Sequence, residues 1–83
     1  MVAAVSYRAQ CPGQPVQTYV PRLDGQDLGV YRLADGEAVT YAVMPGRHWL
    51  GYYVAGWATD PGYGAPVLVH GGAMIVMMSC VSP

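Results

Sequence analysis

The stretch from Leu23 to Val54, LDGQDLGVYRLADGEAVTYAVMPGRHWLGYYV, constrains the fold more than any other part of the chain. Three turn dipeptides, Asp24-Gly25, Asp35-Gly36 and Pro45-Gly46, stand about ten residues apart between short segments rich in Val, Tyr and Leu. Asp-Gly between β-formers signals a tight hairpin, because a type I′ turn needs positive φ at both central residues. Pro-Gly does related work: Pro presets φ, and Gly supplies the positive φ that follows. The pattern predicts an antiparallel meander with Gly46 at positive φ.

The flanking segments extend this β pattern. Val2 to Arg8 reads as a first strand, ended by Cys11-Pro-Gly-Gln-Pro15, which cannot continue a ladder. Val16 to Leu23 is a second strand, with Pro21 implying an edge position or a bulge. Asp27 to Leu33 is the third. Ala38 to Val43 alternates most cleanly, with Val39, Tyr41 and Val43 on one face. His48 to Trp57 is bulky on both faces, as expected of a central strand covered on both sides. Asp60 to Gly64 is loop chemistry. Pro66 to His70 is a short strand, and Ala73 to Val81 is the last. No segment shows a 3.6-residue period with capping residues. Residues 1–83 are therefore expected to form a single all-β domain, a small antiparallel β-sandwich or barrel of six to seven short strands with no substantial helix.

Composition narrows the classes of partner. The chain is 53% hydrophobic and 11% charged, against a typical charged fraction of about 25%. It has no Lys, and its four cations, Arg8, Arg22, Arg32 and Arg47, are scattered. Nucleic-acid binding needs a concentrated cationic face, so it is not expected. So little polar surface favours protein partners or self-association. The longest apolar run, Ala73 to Met78, has six residues, whereas a spanning helix needs about 20. No membrane span is expected. MVAAVSYRAQC lacks the basic and apolar regions of a signal peptide. The setting is then the virion or cytoplasm if the chain is complete, or the envelope or periplasm if it is a processed fragment.

The turn pattern resembles PEGA-type domains and related small β-sandwiches of bacterial envelope proteins, which carry a strand, a D-G turn, a short strand, a polar turn and a strand ending in P-G-x-H-x-L. Asp24-Gly25 and Pro45-Gly46-Arg47-His48-Trp49-Leu50 occupy the matching places, over about 32 of the 83 residues. The resemblance implies a non-catalytic interaction module, usually outside the cytoplasm. The Met-rich C-terminal part has no counterpart in that pattern.

No residue pattern points to catalysis, a metal or a cofactor. Cys11 and Cys80 are the only thiols. They read either as a disulfide between the start of the domain and its last strand, or as two buried, reduced, apolar residues. A zinc site would have to draw on both with His48 and His70, without C-x₂-C or H-x₃-H spacing. Each His beside a turn reads as a hydrogen-bonded structural residue. Asp24, Asp27, Asp35, Glu37 and Asp60 fall mostly in turns, where carboxylates accept backbone hydrogen bonds. No glycine pattern suits a nucleotide.

Two features suit an interface. Trp49, Tyr52, Tyr53 and Trp57 form one aromatic cluster, readable as core, as protein-interface anchors or as a glycan platform. On the last strand Ile75 and Met77 share one face, and Met74, Val76, Met78 and Cys80 the other. One face of an outer strand should be polar, and here neither is. The candidate interface residues are Ile75, Met77, Trp49, Tyr53 and Trp57. The expected role is non-enzymatic, as a small subunit of a virion- or filament-like protein assembly. The alternative is an envelope PEGA-like module that binds protein or glycan.

Overall fold

The computed structural model describes residues 1–14, 16–56 and 62–80. These form eight strands: β1 (Ala3–Gln10), β2 (Gln17–Leu23), β3 (Gln26–Asp27), β4 (Tyr31–Leu33), β5 (Ala38–Val43), β6 (Gly46–Val54), β7 (Tyr63–Val69) and β8 (Gly72–Ser79). No helix occurs among the described residues. One sheet has three strands in the order β5-β1-β8, and the other runs β3-β2-β6-β7 with β4 also paired to β2. The two sheets stack as a small β-sandwich.

Alternation decides which side chains meet between the sheets. Ala3, Val5, Tyr7 and Ala9 of β1 face inward with Met78 of β8 and Val43 of β5, and they meet Tyr19, Leu33, Leu50, Tyr52, Val54 and Val69 of the other sheet. Two tyrosines tie the layers together. Tyr7 Oη donates to the Arg22 carbonyl at 2.8 Å, and Ser79 N–H donates to Tyr52 Oη at 2.9 Å. Burial, with the Asp24 charge adding to it, pushes the Tyr7 phenol up to about 12, so it stays a neutral donor.

The predicted meander is corrected. Only Asp24-Gly25 makes a hairpin: both residues have positive φ, 52° and 82°, and the flanking Leu23 and Gln26 pair. At Asp35-Gly36 only the glycine has positive φ, so the turn lacks the twist that returns a strand onto its neighbour. It carries the chain from β4 in one sheet to β5 in the other. Gly36 N–H instead donates to the Ala9 carbonyl and Asp35 Oδ1 accepts from Cys11 N–H, so this turn docks on the end of β1. Pro45-Gly46 likewise crosses between sheets, and Gly46 has the expected positive φ, at 136°.

Pro21 is not on an edge strand; it sits inside β2, between β6 and the β3–β4 side, at a bulge-like slip where Val20 and Pro21 face the three residues 28–30. Its carbonyl accepts from Leu28 N–H at 2.8 Å. A strand residue aims its nitrogen and oxygen to the same side, so the proline nitrogen faces the gap where β3 stops and β4 has not begun. The single strand expected over Asp27 to Leu33 is therefore split in two, which raises the count to eight. The other departure from a purely antiparallel fold is β1 with β8, which pair in parallel with Ala9 opposite Met78 and Gln10 opposite Ser79. The next residues in that register are Cys11 and Cys80. They are joined as a disulfide, with Cα atoms 5.3 Å apart across 69 residues of sequence. β6 is the central strand expected, but it ends at Val54.

Candidate functional site

The predicted interface residues fall on two separate surfaces. Ile75 and Met77 stand on the outer face of the three-stranded sheet, 58% and 45% exposed. Their row neighbours on β1 are Ser6 and Arg8, and beyond these lie Thr40 and Ala38 of β5. Apart from Arg8 and Gln10, the strand residues of this face are small or apolar. Met78 points the other way and is fully buried, while Met74 is half-buried at the border of the core.

Trp49 and Tyr53 lie on the outer face of the other sheet. Trp57 lies outside the described residues. The Trp49 ring rests against the backbone of Gly51 and Gly64, and a methyl group at either position would collide with it. Gly51 and Gly64 are cross-strand partners in β6 and β7. Arg22 extends beside this ring, its Cζ 5.9 Å from the Trp49 centroid and 6.0 Å from that of Tyr53. Arg22 Nη2 donates to the Gly25 carbonyl at 2.7 Å. Nε forms an ion pair with Asp27 Oδ1 at 2.9 Å, off the line of a hydrogen bond. Asp27 also accepts from Tyr53 Oη at 3.1 Å, which raises the Tyr53 phenol above its ordinary value. The cluster is thus a laid-down aromatic beside a compensated ion pair.

His48 has no free ring nitrogen. Nδ1 is 2.7 Å from Asp24 Oδ2, and Nε2 is 2.7 Å from the Met44 carbonyl. Both neighbours are acceptors, so the ring fits best as an imidazolium donating both ways, and its pKa is raised, first by the Asp24 hydrogen bond and then by Met44. Asp24 is lowered, first by His48 and then by the Trp49 N–H it accepts at 2.8 Å. The pair clamps the β2–β3 turn to the corner between β5 and β6. With both nitrogens occupied, neither is positioned to take a proton from a substrate. The disulfide holds both thiols, which removes the ligands that a zinc site would have needed. Among the described residues no three His, Cys, Asp or Glu side chains group as a metal site.

A further feature lies between these surfaces. β7 and β8 are edge strands of opposite sheets, and the sandwich is open between them. The opening is an apolar cleft of about 450 Å³ lined by Leu50, Tyr52, Tyr63, Val67, Met74 and Val76. Tyr63 and Ala65 have core-facing register, opposite Tyr52 and Leu50, yet both are exposed. Tyr63 stacks on Tyr52 with ring centroids 5.2 Å apart. Sequence reasoning missed this cleft, because it arises from two strands being edges on the same side. Pro66 was the available signal, since a proline inside a strand marks an edge.

The fold and these surfaces define a small, disulfide-bridged β-sandwich with apolar and aromatic outer surfaces. The chain matches no family model and no curated protein.

Proposed function

We propose that the chain is a non-catalytic structural protein that works as a small subunit of a larger protein assembly, of virion or filament type. The observation that carries this reading is the exposure of Ile75 and Met77 on β8, an uncharged strand that water alone would cover at a cost. The occupied nitrogens of His48 and the bonded thiols support a non-enzymatic role. A disulfide suits a particle or surface exposed to oxidising conditions. Native mass by light scattering tests the reading. Wild-type protein should exceed the single-chain mass of 8.8 kDa, and Met77→Asp should shrink the particle while leaving the circular dichroism unchanged. A single-copy wild type, or a folded Met77→Asp particle of unaltered mass, would overturn it.

A second reading, an envelope PEGA-like module that binds protein or glycan, is favoured by the Trp49 ring laid on Gly51 and Gly64 beside Arg22 and Tyr53. An aromatic face next to fixed polar groups suits a sugar ring or a protein hot spot. Soluble N-acetylglucosamine oligomers, titrated in a Trp57→Phe background, should then shift the Trp49 fluorescence. No shift removes the glycan form of this reading.

A further inference from the structure

The free edge of β8 differs from the other edge at the open side. Ser79 N–H leaves the β1 ladder for Tyr52 Oη. Peptide groups alternate in direction along a strand, so Ala73, Ile75 and Met77 also aim theirs away from β1, toward the opening. Nothing within β8 blunts this edge, because its sequence is GAMIVMMS, with no proline and no charge. β7 is blunted. Trp49 uses its N–H and carbonyl on Asp24, on the β2 side, so the Trp49–Pro66 pair is not hydrogen-bonded and the Pro66 nitrogen faces outward. At the opposite side of the sandwich, the hydroxyls of Tyr31 and Tyr41 bridge the two sheets.

We infer that β8 pairs, antiparallel about a two-fold axis at Ile75, with β8 of a second copy of this chain, joining two three-stranded sheets into one of six. This rests on the assembly reading above and names its partner. The register follows from which peptide groups are free: Ile75 lies opposite Ile75 of the second copy, and Ala73 opposite Met77. A long side chain thus meets a small one on the outer face. On the inner face Met74 lies opposite Val76, and each copy closes the cleft of the other. Among the described residues no charged side chain lies on β8 or lines the cleft, so two copies meet there without like charges, while a charged partner finds no counter-charge. A side of this body, 40 Å long and 17–22 Å across, presents roughly 700–900 Å², close to the ~800 Å² per partner of a standard interface. Isologous two-fold dimers are also the commonest closed assembly.

Size-exclusion with light scattering over a concentration series tests the pairing. Wild-type protein should have twice the 8.8 kDa chain mass, with Ile75 and Met77 amides exchanging more slowly as concentration rises. Ile75→Pro removes an outward N–H that the β1 ladder does not use, and should give a folded single copy. Should that variant fail to fold, Ile75→Lys places two cations side by side at the axis. It should weaken association at least tenfold, less so at high salt. Thr40→Lys, on the far edge of the same outer face, should keep the two-copy mass. A folded Ile75 variant that retains the wild-type mass overturns this pairing and leaves the assembly reading standing. A wild type that stays single at every concentration overturns both.

Discussion

The two long sides of the sandwich are built oppositely. On the β4–β5 side, Tyr31 and Tyr41 meet hydroxyl to hydroxyl with rings edge to face at 6.5 Å, and Tyr41 Oη also reaches the Leu28 carbonyl. Burial, with the Tyr31 contact second, pushes the Tyr41 phenol up to about 12. The chain itself crosses there, through Asp35-Gly36. On the β7–β8 side the corner at His70 and Gly71 joins the strands at one end only, and core-facing side chains stay open to solvent. One side is finished within the chain; the other has the composition of a core without its cover.

The largest expected effect separates the two environments within β8. Met78→Asp should unfold the domain, costing about 4 kcal/mol or more, because it strands a charge in a fully buried site. Met74→Asp would be expected to do the same if the last strand's inner face were uniformly core. Met74 lines the open cleft instead, so its variant should remain folded, with a lower melting temperature. Equal losses in denaturant titrations would mean that the open side is as enclosed as the other.

Next comes the disulfide, which fastens β8 to β1 beyond the end of the ladder. Cys11→Ala with Cys80→Ala should cost about 2–4 kcal/mol in the chain-entropy view. Hydrogen exchange should rise first in β8, with β5 on the closed side changing later. A uniform rise would show that the two flanks of this sheet are equally anchored.

On the closed side Tyr31→Phe removes the hydroxyl bridge and should cost about 1 kcal/mol. Tyr63→Phe, at the open mouth, should stay within about 0.5 kcal/mol of wild type. Reversal of that order, read from chemical denaturation, would break the comparison.

The smallest effect is pH dependence at the Asp24–His48 clamp, which belongs to neither side and should act on both alike. His48 is raised, so its contribution is full below the unfolded value of 6.5 and is lost as pH rises through the folded one. Asp24 is lowered, so its share is present above 3.8 and is lost as pH falls through its folded value. The clamp therefore acts most fully between those two unfolded values. Melting temperature should fall gently above that window in wild type and show a flatter profile in His48→Gln.

Much of this was legible in the sequence, where the information is local. The Asp24-Gly25 hairpin, the positive φ of Gly46 and the alternation that divides Met74, Val76 and Met78 from Ile75 and Met77 all follow from residue period and turn chemistry. The failures concern what lies beside what. Asp35-Gly36 and Asp24-Gly25 look alike as dipeptides, but only one returns the chain to the same sheet. Pro21 was legible as a break in hydrogen bonding, but which flank of β2 carried it depended on where Leu28 falls. The cleft was illegible for the same reason, since no single segment reveals that two distant strands are edges of one opening. Trp49 and Met77 were both legible as interface candidates; that the sheets place them on opposite faces of the sandwich was not.

The position of β1 has a consequence for how this protein is made. It is the middle strand of its sheet, yet it is synthesised before both of its partners, β5 and β8. The inward row of Val5, Tyr7 and Ala9 must wait, uncovered, for a ladder that cannot close until the last strand has been synthesised. Cys11 waits with it, its native partner 69 residues away. The decisive step of folding therefore waits for β8, and an oxidant that reaches the nascent chain early would cap Cys11 before Cys80 exists. Slowing the synthesis of β8 should lengthen that exposure, whereas relocating β1 to follow β8 by circular permutation should shorten it.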